Sequence, residues 1–576
     1  MKNLQVARVF QEIADLLELS GDNPFRIRAY RRAAMNVEAF PKDVASMSEE
    51  DLHSLPGIGK DLAHKIRQFV DTGHIDVHEE LRKKIPPGLL EILRVPGIGP
   101  KTAQLLFERK KVKSLEELEA LAGEGKLAGL PGIQEKTEEN IRKGILQLRK
   151  GMERFPLGKA LPIARGIVDL LQEAVPGARV ALAGSIRRWK ETVKDIDVLA
   201  AGTKPEAITK AFVGLPGARE VLERGTTKSS IRTAEGIQVD LRVVAEESFG
   251  AALQYFTGSK EHNVRLREMA SRRGLKLNEY GVFRESDGRR LGGREEEDVY
   301  KALGLPFVPP ELREDAGEIE AALEGKLPEL LSLSDIRGDL HVHTKWSDGG
   351  HDLAAVVGAA RERKYDYVAI TDHSKGLGVA RGLTEERVRG QIREIDAANR
   401  KLKGFRVLKG IEVDIRGDGT LDLPDALLSE LDIVVASIHS GFRQPGEELT
   451  KRLVAAIRNP YVSVIAHPTG RLLGEREAYP VDMEAVLSEA ARHGKALEIN
   501  AYPLRLDLSD AWARAAKRAG IPLAVSTDAH ILSNLDYMGY GVSIARRGWL
   551  EPRDVLNTLS FPKLARRLQG MRGKGG

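Results

Sequence analysis

Seven short apolar runs, GDLHVH, YDYVAITDH, RVLKGIEVDI, DIVVASIH, VSVIAHP, ALEIN and PLAVSTD, follow one another between residues 337 and 576. Near-continuous apolar runs read as strands buried on both faces. Segments such as DLAAVVGAARERK and TEERVRGQIREIDAANRKLK, which separate the first of them, carry helical spacing. Buried strands alternating with helices predict a parallel α/β sheet, and seven of them favour a closed barrel over an open sheet.

Nearly every run ends in a side chain able to hold a metal: His341 and His343 with Asp348 behind them, His373, Glu412, His439, His467, Asp528 and His530. A single histidine at a strand end is usually a satisfied structural residue. Nine ligand-type residues at the same end of successive strands are not explained that way. The C-terminal rim of a parallel barrel is where chemistry sits, and His-X-His and Asp-X-His place both members on one face of a strand. The chain has no cysteine, which excludes disulfides, thiolate catalysis and cysteine-ligated zinc or iron–sulfur sites. A mixed His/carboxylate set suits Zn²⁺, Mn²⁺ or Fe²⁺. More ligands than one ion can use predicts a cluster of two or three, as in metal-assisted phosphoester hydrolysis.

At 576 residues the chain is too long for one core, so two to four domains are expected. Hydrophobic residues at 42% and charged residues at 30% fit a folded globular chain. No apolar run approaches the roughly 18–20 residues that span a bilayer, and the N-terminus lacks the apolar core of a signal peptide. A cytoplasmic protein is the simplest reading. The net charge of +5 is small for this length, so any case for nucleic acid has to come from local patches. Residues 1–85 show helical spacing, a Pro-Pro-Gly at 86–88 interrupts it, and a second helical stretch runs over 86–150. Residues 151–315 mix short apolar runs with helical segments, which predicts an α+β region. Residues 316–336 are acidic and Ala/Glu-rich, a linker with helical content leading into residues 337–576.

LPGIGK (55–60), VPGIGP (95–100) and LPGIQ (130–134) recur in the N-terminal quarter, each between two helical stretches. The paired glycines Gly57 and Gly59, and Gly97 and Gly99, permit tight turns whose N–H groups can approach a phosphate at the start of the next helix. Basic residues follow: Lys60, Lys65 and Arg67 after the first copy, Lys101 after the second; the third copy has Gln134 at the second glycine's place. These hairpins resemble helix-hairpin-helix modules, which grip the sugar-phosphate backbone without reading sequence. NPFRIRAYRRAA adds Arg26, Arg28, Arg31 and Arg32 with Phe25 and Tyr30 interleaved, a pattern that a solvated helix face also produces.

The strongest chemical signal of the central region is GSIRRWKETVKDIDVLA. Gly184 and Ser185 form a turn whose N–H groups can meet a triphosphate, and Arg188 complements its charge. Asp195 and Asp197, two apart on a strand, face the same way, and Asp240 in IQVDLRVV lies on a further strand. Three carboxylates suit two hard ions such as Mg²⁺ or Mn²⁺, one activating an attacking oxygen and one stabilising the leaving oxygen. Asp-X-Asp alone would be an ordinary strand edge; with the Gly-Ser turn and a third aspartate it is a nucleotidyltransferase signature.

YFTGSKEHNVRLR (255–267) extends the pattern. With it, residues 1 to about 315 resemble the family X DNA polymerases, such as DNA polymerase beta, in the family's order. The resemblance implies a lyase-like domain over 1–85, fingers over 86–150, a palm over 151–245 and a thumb over 246–315. It also implies a nucleotide pocket lined by Tyr255, Phe256 and Gly258, with Asn263 and Arg267 touching the nucleotide and template. Lys65 falls where the family carries a Schiff-base lysine. A neighbouring place often held by another lysine is Asp61, which weakens the electropositive setting that would lower an amine pKa.

Residues 337 to about 570 resemble the polymerase-and-histidinol-phosphatase (PHP) family. This implies a distorted seven-stranded barrel with a trinuclear site: His341, His343, Glu412 and Asp528 for one ion; Glu412, His439 and His467 for a second; Asp348, His373 and His530 for a third. Zn²⁺ or Mn²⁺ are the ions such ligands take. Arg381, Arg471 and Arg505 near the rim are candidates to hold a DNA strand.

Together the two halves resemble a bacterial family X DNA polymerase with an appended PHP nuclease. The implied activity is filling of short gaps in base excision repair from deoxynucleoside triphosphates on gapped or primed DNA. A 3′→5′ exonuclease is implied at the rim, where the resemblance also allows abasic-site endonuclease or 3′-phosphatase activity. Nucleoid association follows from such a role, and nothing in the sequence calls for an obligate oligomer, so a monomer is expected. Two other readings are a DNA-binding protein whose PHP barrel is only structural and a small-molecule phosphatase; the latter leaves the first 315 residues idle.

Overall fold

A computed structural model describes residues 2–38, 44–53, 55, 57–86, 88–93, 95, 98–152 and 154–572. It separates into two compact units, residues 1–153 and 154–576. The first is helical throughout its described residues. In helix Lys2–Leu19 the apolar residues Val6, Phe10, Ile13 and Leu17 recur at three and four and are fully buried. They pack on helix Pro24–Glu38 and join one apolar core that continues to Ile145 in helix Glu135–Met152. Gly57 has φ +76°, which a side chain would resist. Gly59 and Gly99 cap helices Lys60–Thr72 and Pro100–Lys110, the latter with proline at its first position, where a missing N–H is harmless. Gln134 takes the equivalent place before Glu135–Met152.

The second unit opens with strands β1 (Phe155–Pro156), β2 (Arg179–Leu182), β3 (Thr192–Val193), β4 (Asp195–Ala201), β5 (Ala218–Arg224), β6 (Lys228–Thr233) and β7 (Gln238–Val244). β1 and β3 form a small pair, and the others make a five-stranded sheet in the order β2-β4-β7-β6-β5 with β4 and β7 parallel at its centre. Period-two alternation sends Ile196, Val198 and Ala200 of β4 and Val239, Leu241 and Val243 of β7 into the core. The opposite face carries Asp195 and Asp197, and further along Leu199 and Ala201 under Phe249. Next, β8 (Leu275–Asn278), β9 (Gly281–Arg284) and β10 (Arg290–Gly292) form a three-stranded antiparallel sheet with its own core, beside helices Phe249–Thr257, Lys260–Arg272 and Glu296–Ala302.

The acidic stretch at 316–336 does not run free. Its helix Glu318–Leu323 buries Ile319 and Ala322 in that core, and fully buried Glu318 meets His262 Nδ1 at 2.6 Å. A buried carboxylate without such a partner would be costly, so the pair fixes the segment in place.

The remainder is the barrel: β11 (Gly338–Val342), β12 (Tyr367–Ile370), β13 (Arg406–Asp414), β14 (Ile433–Ser437), β15 (Val464–Ile465), β16 (Ala496–Asn500) and β17 (Leu523–Ser526), all parallel and adjacent in chain order. The ring is nearly closed by a bridge from Val342 to Ala529, beyond the end of β17, with the His343 N–H donating to the Ala529 carbonyl at 2.9 Å. Val368, Ile370, Val407, Ile411, Val434 and Val525 face outward against the helices. Tyr367, Ala369, Leu408, Ile433, Val435 and Ala524 fill the interior, together with Leu564 and Leu568 of the C-terminal helix Phe561–Met571. The apolar interior thus occupies the strands' N-terminal ends and leaves the opposite rim to polar side chains.

Candidate functional site

The central sheet and the helices after it form one cleft of about 340 Å³, lined by Gly184, Ser185, Arg188, Asp195, Asp197, Tyr255, Phe256, Gly258, Asn263 and Arg267. Those are residues singled out from the sequence, and the fold brings them together across some 80 positions of chain. Two further lining residues, Thr257 and Lys260, come from the same YFTGSKEHNVRLR segment; Lys260 follows the helix cap Ser259. Asp197 and Asp240 are direct register partners on β4 and β7. Gln238 donates to both oxygens of Asp240 at 3.1 and 3.0 Å, and the Ser230 hydroxyl donates to one of them. Gly184 has φ +63°, and a Cβ there would lie 1.9 Å from Asp197 Oδ2. Only glycine allows that turn to close over the carboxylate. Burial, then the charges of Asp195 and Asp240, push Asp197 up to about 7. Burial, then Asp240, also raises Asp195. Carboxylates held together against their own repulsion form a cation-ready site.

Around this triad, Arg188 donates through Nε to Glu314 at 3.0 Å and through Nη1 to the Thr257 carbonyl. Gly258 has φ +72°, and a Cβ there would press on Arg188 Nη1 at 3.1 Å. Tyr255 and Phe256 meet edge to face at 5.2 Å. Asn263 is held by Gln254 and by the Tyr255 carbonyl, both at 2.7 Å.

At the barrel rim the nine sequence candidates converge. Glu412 on β13 is the hub: Oε1 lies 3.3 Å from His439 Nε2 and 3.1 Å from His467 Nε2, while Oε2 lies 2.7 Å from His373 Nδ1, 3.4 Å from His341 Nε2 and 3.6 Å from His343 Nε2. Asp528 approaches His343 Nε2 at 3.0 Å, and Asp348 lies 3.5 Å from His530 Nε2 and 3.7 Å from His373 Nε2. Three sets have donor atoms within 4.8 Å of one another: His341, His343 and Asp528; His373, Glu412 and His439; and His343, Asp348, His373 and His530. His343 and His373 therefore each belong to two sets, whereas the resemblance assigned each to one; Glu412 belongs to one set rather than two, and His467 falls in none of the three.

A register shift in β11 between Asp339 and Val342 aims these residues. The extra residue lets Leu340 stay in the interior core while His341 and His343 also point to the inner rim.

The buried atoms His341 Nε2, His343 Nδ1, His373 Nδ1, Glu412 Oε2 and His467 Nδ1 make no hydrogen bond. Native interiors rarely leave so many polar atoms unmatched in one place, and lone pairs of imidazole and carboxylate converging on shared space fit divalent metal ions. Burial first, then the charges of His530 and His373, push His343 down to about 3, leaving it in the neutral, ligating form. Burial pushes Glu412 up, but His373, His439 and His341 outweigh it and hold the carboxyl well below its ordinary range.

A supporting shell escaped the sequence reading. Glu498 accepts from His341 Nδ1 at 2.7 Å and from the His467 N–H at 2.8 Å, and Asn500 donates to both Glu498 and Asp528. A carboxylate behind a ligating histidine fixes its ring and tautomer. The charged Glu498 inside the apolar run ALEIN was the signal available. Fully buried Asp372 likewise anchors the loop of Asp348 by accepting from the Thr344 and Ser347 N–H groups at 2.8 and 3.0 Å. Of the rim arginines, Arg505 reaches to 3.7 Å from Asp528, Arg471 is engaged by Glu191, and Arg381 lies in a short 3₁₀ loop with φ +55°.

In the N-terminal unit, Gly57, Gly59, Lys60, Lys65 and Gly99 lie at the hairpins, with Arg32 packed against Gly57. Gly97 and the side chain of Lys101 lie outside the described residues. Lys65 pairs with Asp61 one turn away. The interleaved arginine patch is partly neutralised, Arg26 by Asp22 and Arg31 by Glu18, and Tyr30 is a core residue. Phe25 remains exposed with Arg28 over its ring.

Family models match four segments: a helix-hairpin-helix domain over residues 1–75, a SAM-like helix-hairpin-helix tandem over 89–145, a DNA polymerase beta thumb over 252–314 and a PHP domain over 339–501. The DNA polymerase/3′-5′ exonuclease PolX of Bacillus subtilis is 42% identical over 97% of this chain and 98% of its own length. DNA polymerase lambda of Rattus norvegicus is 27% identical over 54% of this chain and 56% of its own. A probable phosphatase of Caldanaerobacter subterraneus is 33% identical, covering 41% of this chain and 93% of that protein. The chain belongs to the family X DNA polymerases that carry helix-hairpin-helix and PHP domains.

Proposed function

We propose that the chain fills short gaps in DNA during base excision repair and trims 3′ ends with a second, separate site. Gapped or primed DNA and deoxynucleoside triphosphates are its substrates, and it acts as a monomer in the cytoplasm on the nucleoid. No helix among the described residues is long and apolar enough to cross a membrane. The observation that carries the reading is the single cleft joining Asp195 and Asp197 to Gly184, Ser185, Arg188 and the Tyr255–Gly258 turn. Asp195, Asp197 and Asp240 would hold Mg²⁺ or Mn²⁺, which supply a Lewis-acid clamp on the attacking and leaving oxygens. Ser185, Arg188 and the N–H groups of the Gly184 turn orient the triphosphate, and Tyr255, Phe256, Asn263 and Arg267 position the sugar and base. The hairpins at Gly57–Lys60 and Gly97–Lys101 hold the DNA backbone. Lys65, at the place of the family's Schiff-base lysine, is paired with Asp61 one turn away.

At the rim, His341, His343, Glu412 and Asp528, then Glu412, His439 and His467, then Asp348, His373 and His530 would hold two to three ions, Zn²⁺ or Mn²⁺. Such ions supply an activated water and neutralise phosphate charge. Glu498 fixes the His341 ring, and Arg505 would hold a phosphate of the DNA strand. The five unmatched buried atoms of the rim favour this over a barrel that is only structural.

A 5′-labelled primer in gapped DNA with Mn²⁺, with and without nucleotides, tests the division. Asp195→Ala or Asp240→Ala should abolish extension and keep shortening; His341→Ala with His343→Ala should do the reverse. Loss of both activities in either variant would defeat the two-site reading.

A further inference from the structure

Arg188 lines the nucleotide cleft, yet the carboxylate beside it is shared with the barrel. Glu314 Oε1 accepts from Arg188 Nε at 3.0 Å and from Arg547 Nη1 at 3.0 Å. Arg547 ends helix Met538–Arg547 of the barrel, is 6% exposed, and donates to the Arg188 carbonyl at 2.7 Å and to Asp510 at 2.6 Å. The approach is rigid. Arg546 of the same helix binds Glu311 at 2.7 Å and the Leu331 carbonyl at 2.9 Å, Trp189 packs edge to face on Tyr540, and Arg471 binds Glu191 through both of its terminal nitrogens. Among the described residues Arg188 Nη2 makes no hydrogen bond within the protein.

A carboxylate next to a phosphate-binding guanidinium is a competitor for it. Left with Arg188 as its one cation, Glu314 would draw that side chain toward itself and offset the positive charge the triphosphate needs. Shared between two guanidinium groups, of which Arg547 also pairs with Asp510, it is partly neutralised and orients Arg188 without taking up all of its charge. We infer that Arg547, supplied by the PHP barrel, is a positioning residue for nucleotide addition: it neutralises Glu314 and so keeps Arg188 available to the incoming triphosphate. This rests on the reading of Arg188 given above. The barrel thereby takes part in synthesis through a residue remote from its own metal ligands.

The test uses the full-length protein in gapped-primer extension, with KM for the nucleotide and kcat measured separately and nuclease activity of the same preparations as the folding control. Arg547→Ala should raise KM about tenfold, the worth of a charge-assisted contact, with kcat changed less than about threefold. Adding Glu314→Gln to it should return KM to within about threefold of the parent, because the competitor is gone. Should Arg547→Ala fail to fold, as lost nuclease would reveal, Arg547→Gln keeps a shorter, neutral amide donor and more of the side-chain volume, and the same rise and rescue are expected. An unchanged KM in these variants, or a raised KM that Glu314→Gln does not rescue, overturns the inference. Arg188→Ala separates it from the pocket reading: if that variant leaves KM unchanged the pocket assignment itself fails, whereas a rise there with none in Arg547→Ala defeats the inference alone.

Discussion

Gly184 and Asp197 show how little space the polymerase cleft leaves. A methyl group at Gly184 would need both a strained positive φ and the volume held by Asp197 Oδ2. Gly184→Ala should therefore lower primer extension by more than about a hundredfold, a loss on the scale of one misplaced catalytic group, while nuclease activity stays intact; near-normal extension would show that the turn can move aside. Asp197 carries the pH dependence. Its folded value near 7 lies above the ordinary carboxyl value of about 3.9, so the folded state binds the proton more tightly than the unfolded one. In metal-free protein this contribution is most favourable below about pH 4, and stability falls as pH rises toward 7, levelling off above it. Cation binding runs the opposite way, since the ion must displace the proton. Mn²⁺ affinity, followed by paramagnetic resonance from pH 5.5 to 8.5, should climb by up to about tenfold per unit below 7 and then flatten. Asp240→Asn should move that midpoint down by removing one of the charges that raise it.

Among the elements, the barrel depends on how its first and last strands meet. Fully buried Asn557 donates to the Gly338 carbonyl of β11 and the Val525 carbonyl of β17, and accepts from the Val525 N–H, all at 2.8 Å. The side chain closes the ring at the end opposite the polar rim. Asn557→Ala would leave three buried backbone groups unmatched, and we expect a loss of about 3 kcal/mol in chemical denaturation. A change under about 0.5 kcal/mol, the scale of an ordinary surface substitution, would mean that water replaces the amide. The bulge in β11 works at the other end, where it supplies two inward histidines beside an inward leucine.

Over the whole molecule, the central sheet, the three-stranded sheet and the barrel form one compact unit. Glu191, in the bend before β3, forms a two-point ion pair with Arg471 of the barrel, at 2.6 and 3.1 Å. Gly158 lies against Pro503, where any Cβ would clash at 2.3 Å. Such an interface makes the two catalytic regions unfold together. Glu191→Ala, which removes the carboxylate paired with a mostly buried guanidinium, should lower the inactivation temperature of extension and of nuclease activity by the same few degrees, the shift that about 1–2 kcal/mol produces in a large unit. Separate shifts for the two activities would show that the interface does not couple them.

The sequence by itself determined the parts whose signal is local. Near-continuous apolar runs and the 3.6-residue spacing marked the barrel strands and helices, strand-end placement singled out the nine rim candidates that converge, and Asp-X-Asp with Gly-Ser singled out the residues of the central cleft. These are readable because each depends on residues a few positions apart. Tertiary structure alone decided what lies between distant segments. It made Asp197 and Asp240 register partners, set His373 between two ligand groups, and put Glu498 behind His341. It also brought Arg547 to Glu314 across 233 positions of chain. A charged residue in an apolar strand, or an arginine at a helix end, has no meaning until packing removes water and leaves it one partner. Burial is what turns such a residue into a determinant of structure.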